Sequence, residues 1–296
     1  MTVNLTVKSG FTFTRKGYLI ITLCFLIIVI ASLKHVWSVF IPFVESEFKV
    51  SRSISVLPFS LLNLANIVGF LTINYFKNMF GIKKLLIITT FLTSLGLALT
   101  ALSLNILFLI LSFAFIYGLG HSFGYVIAVS LGIKWFHRHK AGIATGIIVS
   151  AYSFGILTLS PLTTYLIQYF NNWRAPLVIY CIFAFIIMLT STIVLEEPKV
   201  GNVSARTSEL RFIEIIRSKT FILIALVLFL TSLFDGLIAG NFVPLVREIV
   251  SVDLFTASLM LSIYSVIALI SRVIVGAVSA FKYFQNIINN LHYSNN

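Results

Sequence analysis

The sequence predicts an all-α membrane protein, a bundle of about eight transmembrane helices arranged as six and then two. Three observations carry that prediction. Apolar residues make up 59% of the 296 positions and charged residues only 10%, where a soluble domain carries roughly 25% charged. The mean hydropathy is accordingly +1.04. The apolar residues gather in eight long runs, and the basic residues alternate between the loops in a way that sorts them by side.

A hydrocarbon core of about 30 Å needs about 20 apolar residues at 1.5 Å per helical residue. The runs at about 18–42, 54–76, 85–104, 106–133, 141–170, 174–195, 220–246 and 256–280 meet that length. Arg15-Lys16 before the first run resembles the start of a signal peptide. That run is too long for one, no cleavage site follows it, and further spans come after it, so it reads as a transmembrane helix. The chain divides into an N-terminal segment (1–17), a six-helix half (18–195), a polar central loop (196–219), two further helices (220–281) and an Asn-rich tail (282–296) expected to fray.

The formal charge of +12 first suggests a nucleic-acid partner. Position decides against it. With the N-terminus inside, 15 of the 21 Lys and Arg fall on the cytoplasmic side, four on the outer side and two, Lys34 and Arg272, within spans. This is the positive-inside pattern, and it accounts for the charge without nucleic acid. The partner it implies is the lipid bilayer of the plasma membrane. Cys24 and Cys181 lie in apolar runs and report neither disulfide nor metal. Nothing in the sequence calls for a cofactor or a metal ion.

The stretch WFHRHKAGIATG at 135–146 sets basic side chains beside spaced glycines. No strand precedes it, and the order needed to wrap a phosphate is absent. Gly142, Gly146 and Ser150 recur every four residues, as do Gly120, Gly124, Ala128 and Gly132 on the preceding span. Small residues on one helical face let backbones approach closely in lipid. The stretch reads as a cytoplasmic hairpin, with Arg138 and Lys140 in the turn.

That hairpin (Trp135-Phe136, Arg138, Lys140, Gly142, Ala144, Gly146), with Gly155, Pro161 and Trp173-Arg174 after it, resembles the major facilitator superfamily. The likeness is closer to its monocarboxylate transporter and oxalate:formate antiporter branch, and covers roughly residues 18–280. The resemblance implies a major facilitator-like bundle of two six-helix halves, of which this chain holds the first half and two helices of the second. The chain therefore resembles a transporter cut short at its C-terminus. In NYFKNMFGIKK (74–84) the superfamily's turn between helices two and three keeps Gly81, Lys83 and Lys84, but Asn78 stands at the aspartate position. That substitution puts the usual cytoplasmic charge network in doubt. An internal repeat fits two related halves: IPFVESEF at 41–48 resembles VPLVREIV at 243–250.

Ionisable groups inside hydrocarbon are costly and by default mark a pathway. Lys34 lies 16 residues into its span, about 24 Å along the helix, and Asp235 sits at nearly the same depth on the seventh. They are candidates for an ion pair, the alternatives being that Lys34 reaches the outer headgroups and Asp235 caps an outer cavity. Arg272 cannot lose its charge. In a wet cavity it would bind a carboxylate through two parallel bonds; otherwise it reaches inward to the headgroups. By resemblance it matches the helix-eight arginine of monocarboxylate transporters, although Ala268 stands where an aspartate usually accompanies it. Lys34 or His35 falls near that family's helix-one lysine. His35 and His121 titrate in the neutral range and are candidates for proton coupling, or are hydrogen-bonded packing residues. Tyr125, Tyr152 and Tyr264 are candidate cavity hydroxyls.

No catalytic set is present. The leading reading is a secondary transporter of a small organic anion, monocarboxylate or dicarboxylate, by alternating access, with a proton co-transported or an anion exchanged. Two alternatives stand beside it: a facilitator of another class of small molecule, and a non-transporting remnant or membrane interaction protein that self-associates through its unpartnered spans. A seven-helix receptor fits neither the span count nor the hairpin.

Overall fold

The computed structural model describes residues 15–135, 141–197 and 217–293. All eight expected spans are helical, and no strand occurs among the described residues. The first span comprises Arg15–Ala31 and Leu33–Phe48. After a short helix, Arg52–Ser55, the second and third spans form one helical run, Leu57–Ala101. The fourth is built from Ile106–Ile110, a π-helical segment Leu111–Tyr117, and Gly118–Lys134. The fifth is Ala141–Phe170, the sixth Ala175–Val194, the seventh Lys219–Val250 and the eighth Leu254–Tyr293.

Three boundaries differ from expectation. The loop predicted around 77–84 is helical, and the chain reverses at Gly81, whose φ of 75° with ψ of 164° is a conformation open essentially to glycine. The first span runs on through Pro42 to Phe48. The eighth helix continues to Tyr293, through the segment expected to be a frayed tail. No Gly or Pro interrupts that segment, and Phe281, Phe284, Ile287, Ile288 and Leu291 recur at helical spacing.

Two local departures from regular helix bear on the centre of the bundle. The first span is interrupted at Ser32. There Ser32 Oγ donates to the Val29 carbonyl at 2.6 Å, and the amide of His35 donates to the Ser32 carbonyl in a tight three-residue turn. The fifth span approaches this point so closely that a Cβ on Gly155 would lie 2.1 Å from Ser32 Oγ. The second departure is the π-helical segment, which ends at Tyr117. Tyr117 is fully buried against Gly96 of the third span, where a Cβ would come within 2.3 Å of the Tyr117 amide nitrogen. Trp37, Phe113 and Tyr117 stack in series, Trp37 to Phe113 at 4.3 Å and Phe113 to Tyr117 at 5.0 Å between centroids.

The small-residue stripe of the fourth span serves more neighbours than the hairpin reading implies. Gly120 faces Thr93 of the third span, Gly124 meets Met188 of the sixth, and Gly132 faces Ile148 of the fifth. Gly142 and Gly146 lie in the fifth helix, with Gly146 buried. Arg138 and Lys140 lie outside the described residues.

The two related halves are visible in backbone detail. Pro42 and Pro244 both sit inside helices. Each helix ends on a left-handed residue, Lys49 at φ 51° and Ser251 at φ 57°, at the same separation as the prolines. The following helices then begin at Ser51 and Asp253, again equally separated, and Asp253 Oδ2 accepts from the amides of Phe255 and Thr256. The seventh span packs on Leu33–Phe48 and the eighth along the fifth. Ser262 Oγ donates to the Leu157 carbonyl and Ser160 Oγ to the Ser258 carbonyl.

Each end of the bundle carries its own ion pairs. At one end Glu196 pairs with Lys16 at 2.6 Å and its carbonyl accepts from Trp135 Nε1, while Glu197 binds Lys77 and Lys134 at 2.6 and 2.9 Å. These contacts tie the first, second and fourth spans to the end of the sixth, a network that Asn78 does not enter by its own charge. At the other end Arg174 pairs with Glu47 at 2.7 Å, and Arg52 bridges Glu45 and Glu248.

Two predictions follow from this packing. Gly96→Ala overpacks a backbone contact and should destabilise by about 1–3 kcal/mol, read as a lower thermal midpoint in detergent. Gly236→Ala, where nothing lies within 4 Å of the added Cβ, should leave the midpoint nearly unchanged. Hydrogen bonds from Lys134 and then Lys77 hold the Glu197 carboxyl at about 2, below its ordinary 4.5. A depressed carboxyl stabilises the fold above its unfolded pKa and loses that contribution as pH falls through the folded value. The side chain is 43% exposed, so solvent screens the effect. The gap in thermal midpoint between the parent chain and Glu197→Gln should be present at neutral pH and shrink as pH falls from about 4.5 towards about 2.

Candidate functional site

A cavity of about 530 Å³ lies at the centre of the bundle. Six spans line it: the first through Lys34 and His35, the second through Phe59, Asn63, Asn66 and Phe70, the fourth through His121 and Tyr125. The fifth contributes Val149 and Tyr152, the seventh Phe229, Ser232, Leu233 and Gly236, and the eighth Arg272. Five residues singled out in the sequence, Lys34, His35, His121, Tyr125 and Arg272, thus face one space although they come from three separate spans.

Each is held by a specific partner. Lys34 follows the interruption at Ser32, and its Nζ donates to Asn63 Oδ1 at 3.1 Å, so it does not run outward to headgroups. His35 is buried, with Nδ1 2.7 Å from the Tyr152 hydroxyl and its ring edge-on to those of Tyr152 and Phe59. Arg272 donates from Nη1 to Ser153 Oγ, and its guanidinium carbon lies 5.8 Å from the centre of the Tyr152 ring. A cation over an aromatic face is attracted by the ring quadrupole. Arg272 is therefore a cavity residue, and the alternative in which it reaches inward to headgroups is overturned.

His121 takes part in a stacked column, with Tyr125 6.4 Å away at an interplanar angle of 9°. Its Nδ1 lies 2.9 Å from Asn66 Oδ1. An amide oxygen only accepts, so Nδ1 carries the proton, and the buried Nε2 has no hydrogen-bond partner among the described residues. A lone pair in that position is open to a proton. Tyr125 stands edge-on to Tyr152 at 6.0 Å, which links the His121 column to the ring beneath Arg272.

The sequence reading missed Asn63, Asn66 and Ser153. The two amides carried a usable signal: they sit three residues apart on one helical face of an otherwise apolar span, where polar groups need partners in lipid. Ser153 had none, since hydroxyl residues are frequent in every span. Tyr264 does not line the cavity; its ring packs 6.0 Å from Phe242. The side chain of Asp235 lies outside the described residues, while its neighbour Gly236 lines the cavity. No cluster of metal-ligating side chains occurs among the described residues.

An all-helical, multi-pass membrane bundle with a polar, cation-bearing central cavity defines a class of solute-handling membrane protein. The family follows from comparison. The model of the Major Facilitator Superfamily matches residues 19–289, and the chain belongs to that superfamily. It is 25% identical over 249 residues to the uncharacterized MFS-type transporter YhjX of Escherichia coli (strain K12), covering 83% of this chain and 61% of the relative. It is 27% identical over 164 residues to monocarboxylate transporter 12 of Xenopus laevis, covering 55% of this chain and 35% of that one. Similarity to monocarboxylate transporter 14 of Homo sapiens is 31% over 134 residues, 45% of this chain and 26% of the relative. The chain thus spans less than two thirds of the length of these relatives. They are transporters by name, and the chain belongs with them rather than with enzymes.

Removing the Asn66 amide leaves His121 Nδ1–H buried without its acceptor, which costs about 1–3 kcal/mol. Asn66→Leu should therefore lower the thermal midpoint in detergent, and Asn66→Asp, which keeps an acceptor oxygen, should lose less.

Proposed function

We propose that the chain contributes the anion-binding cavity of a secondary transporter for small carboxylates, operating by alternating access. The observation that supports this most is the placing of Arg272. A permanent, planar cation stands in a central cavity beside Ser153 and Tyr152, and the Lys34 ammonium faces the same space from the first span. A carboxylate entering there meets two donors of one guanidinium, an ammonium, and tyrosine and amide groups that fix its orientation. Alternating access requires the six-helix half (18–195) and the second half (from 220) to rock about this site. His121, with its open Nε2, is the group we assign to carrying a co-transported proton. The positive-inside pattern supports a cytoplasmic N-terminus in the plasma membrane.

Ligand binding to the folded state raises stability by RT ln(1 + [L]/Kd), about 2.7 kcal/mol at a hundredfold excess over Kd. A panel of small monocarboxylates and dicarboxylates should include at least one that raises the thermal midpoint of the purified chain saturably, whereas neutral alcohols and sugars of like size do not. Arg272→Ala should abolish the rise while the unliganded protein still elutes as the parent does, and Arg272→Lys should retain a weakened one. A saturable rise with sugars alone would favour a facilitator of another substrate class.

A further inference from the structure

At the end of the bundle away from Glu197, Arg52 stands between two carboxylates from different halves of the protein. Its Nε donates to Glu45 Oε1 of the first span, and its Nη2 lies 3.4 Å from Glu45 Oε2. The same Nη2 donates to Glu248 Oε1 of the seventh span at 2.6 Å. Glu45 accepts in addition from Ser55 Oγ at 3.0 Å. The three side chains differ in exposure: Glu45 23%, Arg52 33%, Glu248 59%. Arg52 is fixed in place from below, because Trp37 Nε1 donates to the Ser55 carbonyl at 2.9 Å and so anchors the short helix that carries it.

Between these charges and the cavity, the halves are in close contact. Gly240 of the seventh span admits the ring of Phe59 so closely that a Cβ would lie 3.0 Å from it, and Val243 is fully buried. The bonds of the eighth span to the fifth also fall in this half of its length, at Ser258, Ser262 and Arg272. Towards the Glu197 end the contact lapses: Phe221, Leu223, Leu226 and Leu230 of the seventh span and Ile274 and Val275 of the eighth are exposed. The cavity is thus closed at the Arg52 end and the halves part at the other.

We propose that Arg52, Glu45 and Glu248 form a latch that holds the cavity shut at this end and sets how often it opens there. Glu45, the more buried acid, is the standing partner of Arg52. Glu248, held by one contact and more than half exposed, is the partner that leaves. On opening, Arg52 keeps its charge paired to Glu45 and Glu248 is taken up by water, so neither state strands an unpaired buried charge. Such a latch is weak by design of its exposure, and its loss shifts the equilibrium by less than about tenfold. The proposal rests on alternating access but not on the identity of the substrate.

The test uses the full chain, with Cys24 and Cys181 replaced by Ala and Ser232→Cys as a reporter in the cavity wall, reconstituted in vesicles and treated with a charged, membrane-impermeant maleimide. Glu248→Gln should raise the labelling rate from the Arg52 side about two- to fivefold, and Glu248→Arg, which sets like charge against Arg52, should raise it further. Labelling from the Glu197 side should fall in the same variants. Unchanged rates from both sides would overturn the latch. So would a rise from both sides, since that reports general loosening of the bundle. Labelling needs no carboxylate, so failure of the anion-binding reading would appear only in the thermal-shift panel and would leave this result standing.

Discussion

A guanidinium that cannot give up its charge, set in the middle of a membrane bundle, is the constraint on which the rest of the centre depends. Arg272 must be kept wet or bonded, because stranding it in hydrocarbon would cost more than most of the surrounding packing supplies. The structure meets this need with Ser153, the face of Tyr152 and an open cavity. Those partners sit on the fifth span, so the eighth must lie close along it. Small hydroxyl residues at Ser160, Ser258 and Ser262 allow that approach and bond across it. The first span is brought to the same place by Gly155, which leaves room for the interruption at Ser32 and so for Lys34 and His35 just beyond. Local irregularity, tight helix contact and site chemistry are therefore one problem solved together.

The same reasoning explains why amides and phenols, rather than carboxylates, surround the cations among the described residues. A fixed carboxylate within the cavity would neutralise Lys34 or Arg272 and compete with an incoming anion. Asn63, Asn66 and the tyrosines orient without competing: they offer dipoles and hydroxyls but no net charge. The columns His121–Tyr125 and Tyr125–Tyr152–His35 place both histidines in contact with the aromatic wall beneath Arg272. Whatever binds the guanidinium thus adjoins the groups that can take up a proton.

Much of this was legible in the sequence because lipid leaves a chain few choices. Backbone groups must be satisfied within helices, so eight apolar runs became eight helices. Charges within spans must find a cavity, so Lys34 and Arg272 did. The prolines of the internal repeat, which on sequence alone rested on a short match, acquire backbone companions in the left-handed caps at Lys49 and Ser251. Less was readable where the physics is permissive. A glycine turn such as Gly81 can close without a polar loop, so the reversal between the second and third spans hid inside a helix. The tail carried helical periodicity beneath an Asn-rich composition. Which small residues meet which neighbour was not decidable either, since a four-residue spacing gives a face but not its partner. The pairing of Glu196 and Glu197 with Lys16, Lys77 and Lys134 depended on three loops converging, which no local pattern encodes.

The ion pairs at the two ends do different work, and the difference bears on how the bundle moves. At the Glu197 end every described pair lies within the first six spans, so it stiffens that half as one body and is indifferent to where the second half stands. At the Arg52 end one pair crosses between halves and its neighbour, Arg174 with Glu47, does not. Rocking of one half against the other therefore preserves every one of these contacts except the bond to Glu248. A rigid body needs strong internal ties and a hinge needs weak external ones, and the exposure of each pair follows that division: Glu45 is sheltered with its own half, while Glu248, which must let go, stands in the water.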